Sequence, residues 1–433
     1  MITVHSYPKA VLHADCDAFF TSVEQSLNPS LLEKPVVTGK ERGIASAVSY
    51  EGKRLGIRRG MRLSEIRQIC PECVVLPSDY ETYSLVSKRF FEILRRFTPD
   101  VEEYSIDEAF ADITGLRKVH RCSYEEIALK IQSAVHRELG LTISIGLSVT
   151  KSLAKICSKE KKPAGLTCLP GYELHRFLKQ IPVERVCGFG PSSVSLLRKN
   201  SVETVLDFIN KPKWFADRLL GKPGSELWHE LRGDMVYPVQ EVSVQKPASI
   251  SKAKTFTPAS ENKAFVRSQL FRNAESAFIK LRRHKLAVKR IAVYLRNNEF
   301  RSRGVEISLN HPAVSVSSAA DVLSQAFDAV YDSGQMYRQT AVCLSGLSES
   351  CNTPQDLFLD SLRIQTMQKL AECTDQINRE YGKHTLHLAS TQMLQVFQQH
   401  LGDRGDVHPR KLIRLKGETI RRRVNIPLWD VKI

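Results

Sequence analysis

No apolar run in this 433-residue chain approaches the roughly 18 residues that a membrane-spanning helix needs. The first residues, Met1-Ile2-Thr3-Val4-His5, lack a basic region followed by an apolar core, so a secretion signal is not expected. Internal repeats and low-complexity segments are missing too, which excludes solenoid and fibrous architectures. The ten cysteines are scattered. Cys70-Pro71-Glu72-Cys73 has no second pair and no histidine at finger spacing, so neither a zinc finger nor a disulfide framework is indicated. A reduced, cytoplasmic protein is the expectation. Acid is short relative to base, with 47 Asp and Glu against 63 Lys and Arg and a net charge of +16. Such an excess favours a polyanionic partner, and without a membrane segment that partner is nucleic acid. The remaining composition is that of an ordinary globular chain of roughly two to four domains.

What is present centres on Tyr104-Ser105-Ile106-Asp107-Glu108-Ala109-Phe110-Ala111-Asp112. Alternation here predicts a strand that dips into a tight turn. Neighbouring strand side chains face opposite ways, so Asp107 and Glu108 can share a ligand only at a bend or ladder end. Carboxylates in apolar company must be protonated or must meet a hard cation, because an unpaired buried charge is costly. An ordinary strand end with two solvated acids is the plainer alternative.

A second stretch, Ala10-Val11-Leu12-His13-Ala14-Asp15-Cys16-Asp17-Ala18-Phe19-Phe20, reads as a buried strand that ends in acids and an aromatic pair. Asp15 supplies a third carboxylate from a neighbouring strand. Three acids on two strands suit a pair of Mg²⁺ ions held with substrate phosphates for in-line phosphoryl transfer.

Asp15-x-Asp17-x-Phe19-Phe20 and Ser105-Ile106-Asp107-Glu108-Ala109 resemble the two catalytic motifs of the Y-family DNA polymerases, which copy damaged templates. Ser49-Tyr50-Glu51-Gly52-Lys53 with Gly56-Ile57-Arg58-Arg59-Gly60-Met61 resembles the fingers motif of that family. Ser152-Leu153-Ala154-Lys155 and Lys161-Lys162-Pro163-Ala164-Gly165 resemble its palm motifs. The resemblance implies an α+β, multidomain fold: a ferredoxin-like palm (1–27 and 79–170), small fingers (28–78), and a helical thumb (171–238). After a linker at 239–247 it implies a four-stranded α+β little finger (248–350) and a C-terminal tail (351–433).

It also implies roles. Asp15, Asp107 and Glu108 are catalytic and, with Cys16, belong to the site of two Mg²⁺ ions. Phe20 is the steric gate that excludes a ribose 2′-OH, with Phe19 beside it against the incoming sugar or base. Ser46, between Ala45 and Ala47, covers the nascent base pair with little side-chain volume, which favours damaged templates over accuracy. Tyr50, Lys53 and Lys162 meet the triphosphate. Lys53 stands where many members have arginine, and lysine grips phosphate as a point charge rather than a fork. Thr150 stands where the family often has asparagine. In Val186-Cys187-Gly188-Phe189-Gly190-Pro191, which resembles a helix-hairpin-helix turn with Cys187 replacing the usual proline, Gly188 and Gly190 let backbone N–H groups reach a DNA phosphate.

The little finger offers Lys252, Lys254, Arg290 and Arg296 to the DNA backbone, contacts that position without reading sequence and weaken steeply with salt. In the tail, Thr353-Pro354-Gln355-Asp356-Leu357-Phe358-Leu359 resembles a sliding-clamp docking motif, with Gln355, Leu357 and Phe358 as the contacts. Nothing resembles an exonuclease motif set. The expected activity is low-fidelity translesion synthesis on primer-template DNA from dNTPs, without proofreading. The alternatives are a non-catalytic DNA-binding repair scaffold, a nucleotidyl cyclase on the same palm, and a polymerase-V-like subunit that needs an accessory protein.

Overall fold

A computed structural model describes residues 4–240, 246–350, 361–381 and 385–396. The chain divides into two compact units whose boundary falls inside the 239–247 stretch.

In the first unit, strand β1 (Val11–Cys16) leads into the helix Phe19–Leu27. Strands β2 (Val36–Thr38), β3 (Ala47–Val48) and β4 (Val74–Leu76) form a small sheet in the order β3-β2-β4. Strands β5 (Val101–Glu103), β6 (Glu108–Asp112), β7 (Ile143–Ser148) and β8 (Leu166–Cys168) then join β1 in a sheet ordered β5-β6-β1-β7-β8. β1 lies in its middle, antiparallel to both β6 and β7.

Period-2 alternation gives that sheet two unlike faces. Leu12, Ala14 and Cys16 of β1, Ala109 and Ala111 of β6, and Ile143, Ile145 and Leu147 of β7 enter the main core. There they meet the helices Tyr80–Arg95 and Tyr124–Leu139 through Tyr83, Val86, Phe90, Ile127 and Ile131. Each fully buried aliphatic or aromatic side chain contributes about 1.5–3 kcal/mol, so this face fixes the register of the other. The second helix starts on a capping box between Ser123 and Glu126 and stops at Gly140, whose φ of 63° is the left-handed conformation of a C-cap. The opposite face carries His13, Asp15, Phe110, Ser144 and Gly146, and the helix Lys151–Cys157 lies across it. Gly146 permits the approach: a Cβ there would stand 2.0 Å from the Ala154 carbonyl oxygen and 2.3 Å from the Ser158 nitrogen.

The alternation over Ile44–Val48 predicts one strand, but only Ala47–Val48 is regular. Ala45 donates its N–H to Met61 O and Ser46 donates to Thr38 O, so the chain changes partners before the ladder forms.

Short helices follow, from Leu174–Leu178 to the pair within Lys213–Arg232 that breaks at Gly221, and pack a separate core with Leu153, Ile156 and Cys157. Glu230 is fully buried within them. Its carboxylate accepts from the backbone N–H groups of Ser152 (3.1 Å), Val236 (2.8 Å) and Tyr237 (2.9 Å), and Thr150 donates its hydroxyl to the Glu230 carbonyl. This carboxylate ties the start of helix Lys151–Cys157 to the chain leaving the helical region. Glu230→Ala orphans three donors at once and is expected to cost about 2–3 kcal/mol. A thermal melt that matches the parent protein would contradict this.

The second unit runs strand, helix, strand, strand, helix, strand, as its alternation predicts. Its elements are β9 (Ser249–Ser260), helix Lys263–Arg283, β10 (Leu286–Asn297), β11 (Ser302–Ala313), helix Ala320–Val330 and β12 (Tyr337–Glu349). The sheet order is β11-β10-β12-β9. A further helix, Ser361–Glu380, is held to it by Arg282, whose Nε and an Nη each lie 2.7 Å from an oxygen of Asp375. The architecture is α+β and multidomain.

Candidate active site

The ladder register places Asp15 of β1 opposite Glu108 of β6, and cross-strand partners present their side chains on the same face. Asp107 sits in the bend at Ser105–Asp107, just before β6 begins. The bend is tied down by Tyr104 and Ser105 N–H groups donating to Glu108 O, and by Cys16 N–H donating to Asp107 O at 2.8 Å. Adjacent acids thus escape strict alternation because the strand ends between them.

Lysines neutralise two of the three acids. Lys162 pairs with Asp15, and the Lys155 ammonium lies 2.5 Å from Glu108 Oε2. Asp107 accepts a hydrogen bond from the Ser105 hydroxyl at 2.5 Å. Burial pushes the Asp15 carboxyl up to about 6, a rise that Lys162 opposes and that Glu108 and Asp107 reinforce. For Glu108, burial works upward, but His13 and Lys155 overcome it and hold the carboxyl at about 2. His13 is fully buried, and burial lowers its imidazole to about 4.

Among the described residues, no three His, Cys, Asp or Glu side chains converge on one point as they stand. The donor set nevertheless fits a hard divalent cation: three carboxylates at one sheet end, two of them already paired with ammonium groups that occupy the place of positive charge. Cys16 contributes differently from a ligand thiolate. Its side chain is 2% exposed and packs in the main core, and burial raises its thiol well above the usual range.

A cleft of about 660 Å³ opens beside the acids, lined by Asp15, Cys16, Phe19, Phe20, Ser46, Tyr50, Lys53, Arg58, Arg59, Asp107 and Lys162 among others. Phe20 stacks on Tyr83, with ring centroids 4.4 Å apart and planes 14° from parallel, and Tyr80 meets its edge at 5.6 Å. Phe19 is only 3% exposed and packs mainly in the core, so it supports the cleft wall more than it faces a ligand. The Lys53 ammonium lies 4.0 Å from the Tyr50 ring centre, and burial together with Lys162 lowers its pKa.

Three groups carry more than their motif positions suggest. Asp17 is fully buried, accepting from Ser144 Oγ (2.9 Å), Tyr50 Oη (3.2 Å) and Ala164 N (2.8 Å). It ties the segment bearing Lys162 and the helix bearing Lys53 to the end of β1. Arg58 and Arg59 line the cleft in a turn between Gly56 and Gly60, whose φ values are 87° and 90°. Lys155 holds Glu108 while resting 4.2 Å from the Tyr104 ring centre. The spacing Asp15-x-Asp17 is the signal that marks the first; Arg58, Arg59 and Lys155 stand inside the quoted motifs, which assign them no role of their own.

Of the residues expected to meet nucleic acid, those on the second unit do not all share a face. Gly188 has a φ of 107°, and Gly190 caps the helix Pro191–Lys199, where a Cβ would meet nothing. On the second unit, Arg290 and Arg296 alternate onto the open sheet face with Tyr294, whereas Lys252 and Lys254 fall in register with buried Val342 and Thr340 on the helix-covered face of edge strand β9. Burial there, with Arg272 and Lys252 nearby, lowers the Lys254 pKa. Gln355, Leu357 and Phe358 lie outside the described residues, as does the basic end of the tail.

The impB/mucB/samB family model matches residues 14–159, and the model of that family's C-terminal domain matches residues 247–357. A DNA polymerase IV of Dehalococcoides mccartyi (strain ATCC BAA-2266 / KCTC 15142 / 195) is 30% identical over 389 residues, covering 89% of this chain and 98% of the relative. One from Streptococcus pyogenes serotype M6 is 30% identical over 363 residues, covering 82% and 98%. The solved Y-family DNA polymerase chimera Dbh-Dpo4(243-245)-Dbh shares the fold, with a TM-score of 0.67 at 22% identity over 78% of this chain and 98% of that one. Fold, acids and relatives together define a DNA-directed DNA polymerase, a metal-dependent nucleotidyltransferase whose substrates are primer-template DNA and dNTPs. The chain belongs to the Y family of these enzymes. No helix of the described residues is long and apolar enough to cross a membrane.

Proposed function

We propose that the protein performs translesion DNA synthesis without proofreading, joining a dNTP to a primer 3′-OH at Asp15, Asp107 and Glu108. The observation that carries this reading is the shared sheet end of those three acids, opening on a cleft walled by Lys53, Arg58, Arg59 and Lys162. Two Mg²⁺ ions held by the three carboxylates and the Cys16 carbonyl would supply activation of the primer hydroxyl and neutralisation of the departing pyrophosphate. The chain's own part is to position and to balance charge. Lys162, released from Asp15, turns to the phosphates, and Tyr50, fixed by Asp17, orients the triphosphate with Lys53. Low-volume residues at Ser46 and Ala47 leave the base-pair side of the cleft tolerant of altered shapes.

The open face of the second unit's sheet, with Arg290 and Arg296, takes the DNA backbone, and Lys252 and Lys254 act from the strand's other side. Gly188 and Gly190 approach a phosphate through backbone N–H groups. Gln355, Leu357 and Phe358 dock on the sliding clamp. The assay that tests the reading is primer extension with Mg²⁺ on undamaged and lesion-bearing templates. Extension on both, with insertion opposite the lesion, is expected. Failure on both would support a non-catalytic DNA-binding scaffold, and rescue by cell extract would support dependence on an accessory subunit.

A further inference from the structure

His13 stands directly behind the acids. It follows the same face of β1 as Asp15, two residues earlier, and its ring rests 4.6 Å from that of Phe110. Its Nδ1 is 2.7 Å from Ser158 Oγ, and Ser158 reaches it because helix Lys151–Cys157 is pressed onto Gly146, the β7 partner of His13. Its Nε2 is buried with no hydrogen-bond partner and faces Glu108 Oε2 at 3.9 Å. A buried ring nitrogen without a partner costs free energy, and a carboxylate oxygen can offer it only acceptance. Ser158 Oγ also lies 3.0 Å from the Lys155 carbonyl oxygen, so its one proton has two acceptors; turned to the nearer Nδ1, it leaves Nε2–H aimed at Glu108, the tautomer with a use for both ring nitrogens.

We infer that His13 is a positioning residue for Glu108: its Nε2–H takes the Glu108 oxygen now held by Lys155 and presents the carboxylate to the cation. The inference rests on the proposed cation site. Glu108 has two ways to be held on its inner side, an ammonium at 2.5 Å and an imidazole at 3.9 Å. Only the neutral donor is compatible with a dication on the other oxygen, because an ammonium beside it would repel the metal. Ligating carboxylates are commonly fixed by such outer hydrogen bonds, and losing one typically costs 10–100-fold in metal affinity or activity.

The test is Mn²⁺ affinity, read by electron paramagnetic resonance on the full chain with primer-template, together with ¹⁵N spectra of histidine-labelled protein without cation. His13→Phe keeps the bulk and the contact with Phe110. It should weaken Mn²⁺ roughly 10–100-fold with DNA affinity and melting temperature unchanged, and His13→Gln, which retains a donor, should recover part of the loss. In a Glu108→Ala background, His13→Phe should add nothing, since the acceptor it serves is gone. An equal loss in both backgrounds, or a spectrum with the proton on Nδ1, overturns the positioning role. Unchanged Mn²⁺ affinity in Glu108→Ala alone would instead overturn the acid site itself, and the role of His13 with it.

Discussion

Asp107→Ala is expected to abolish primer extension while leaving primer-template affinity within about twofold of the parent. Asp107 lines the cleft from the bend before β6 and, among the described residues, is paired with no lysine, unlike Asp15 and Glu108; the side chain that bonds it there is the neighbouring Ser105 hydroxyl. It is thus the acid least needed for the apo fold. Removing it orphans only an exposed hydroxyl, so the melting temperature should change little. The loss of rate should reach roughly 10³-fold or more, the upper scale for deleting one part of a preorganised electrostatic site. DNA affinity should persist because the contacts proposed for the DNA backbone, Arg290 and Arg296 with the glycine turn at Gly188–Gly190, do not include Asp107. Asp107→Asn separates charge from shape and should be nearly as inactive. Single-turnover extension at saturating dNTP gives the rate, and fluorescence anisotropy gives the affinity. Robust extension by Asp107→Ala would remove this residue from the site.

The fold was largely legible in the chain because the strands of its two larger sheets turn a continuous apolar face toward one core. The alternation of Leu12, Ala14 and Cys16, or of Ile143, Ile145 and Leu147, admits one register only, and Ser123 and Gly140 stand at the two ends of the helix Tyr124–Leu139. Ile44–Val48 misled because alternation reports which side chains are buried and is silent on which backbone groups pair. The acids were visible as motifs, but their present state was not. That Lys155 serves Glu108 depends on a helix packed across Gly146, a contact between residues far apart in sequence. Lys252 and Lys254 show the converse limit. Two lysines on one strand suggest a binding stripe, and period 2 sends both toward the helix side, in register with Val342 and Thr340.

Phe20→Ala should raise ribonucleotide incorporation, lowering the deoxy-over-ribo preference on the order of 10²-fold, the scale at which excluding one small group discriminates substrates. The ring can act as a barrier only if it stays in place, and the structure supplies the means. Tyr83 backs it in a near-parallel stack, and the Tyr83 hydroxyl is anchored by a 2.5 Å bond to Glu24, itself on the helix that carries Phe20. Tyr80 closes its edge, and the Arg42 guanidinium lies 5.2 Å from the Tyr80 ring centre. Position and bulk are therefore separable. Phe20→Leu keeps part of the volume and should lie between parent and alanine, whereas Tyr83→Leu leaves the gate but removes its support. If rigidity matters, Tyr83→Leu will lose selectivity with Phe20 intact; if only volume matters, it will lose stability alone. The measurement is the ratio of kcat/KM for a dNTP and its matching rNTP in each variant. A ratio unchanged in Phe20→Ala would reject the gate, because Phe20 is the partly exposed ring that the helix Phe19–Leu27 turns into the cleft, its neighbour Phe19 being buried.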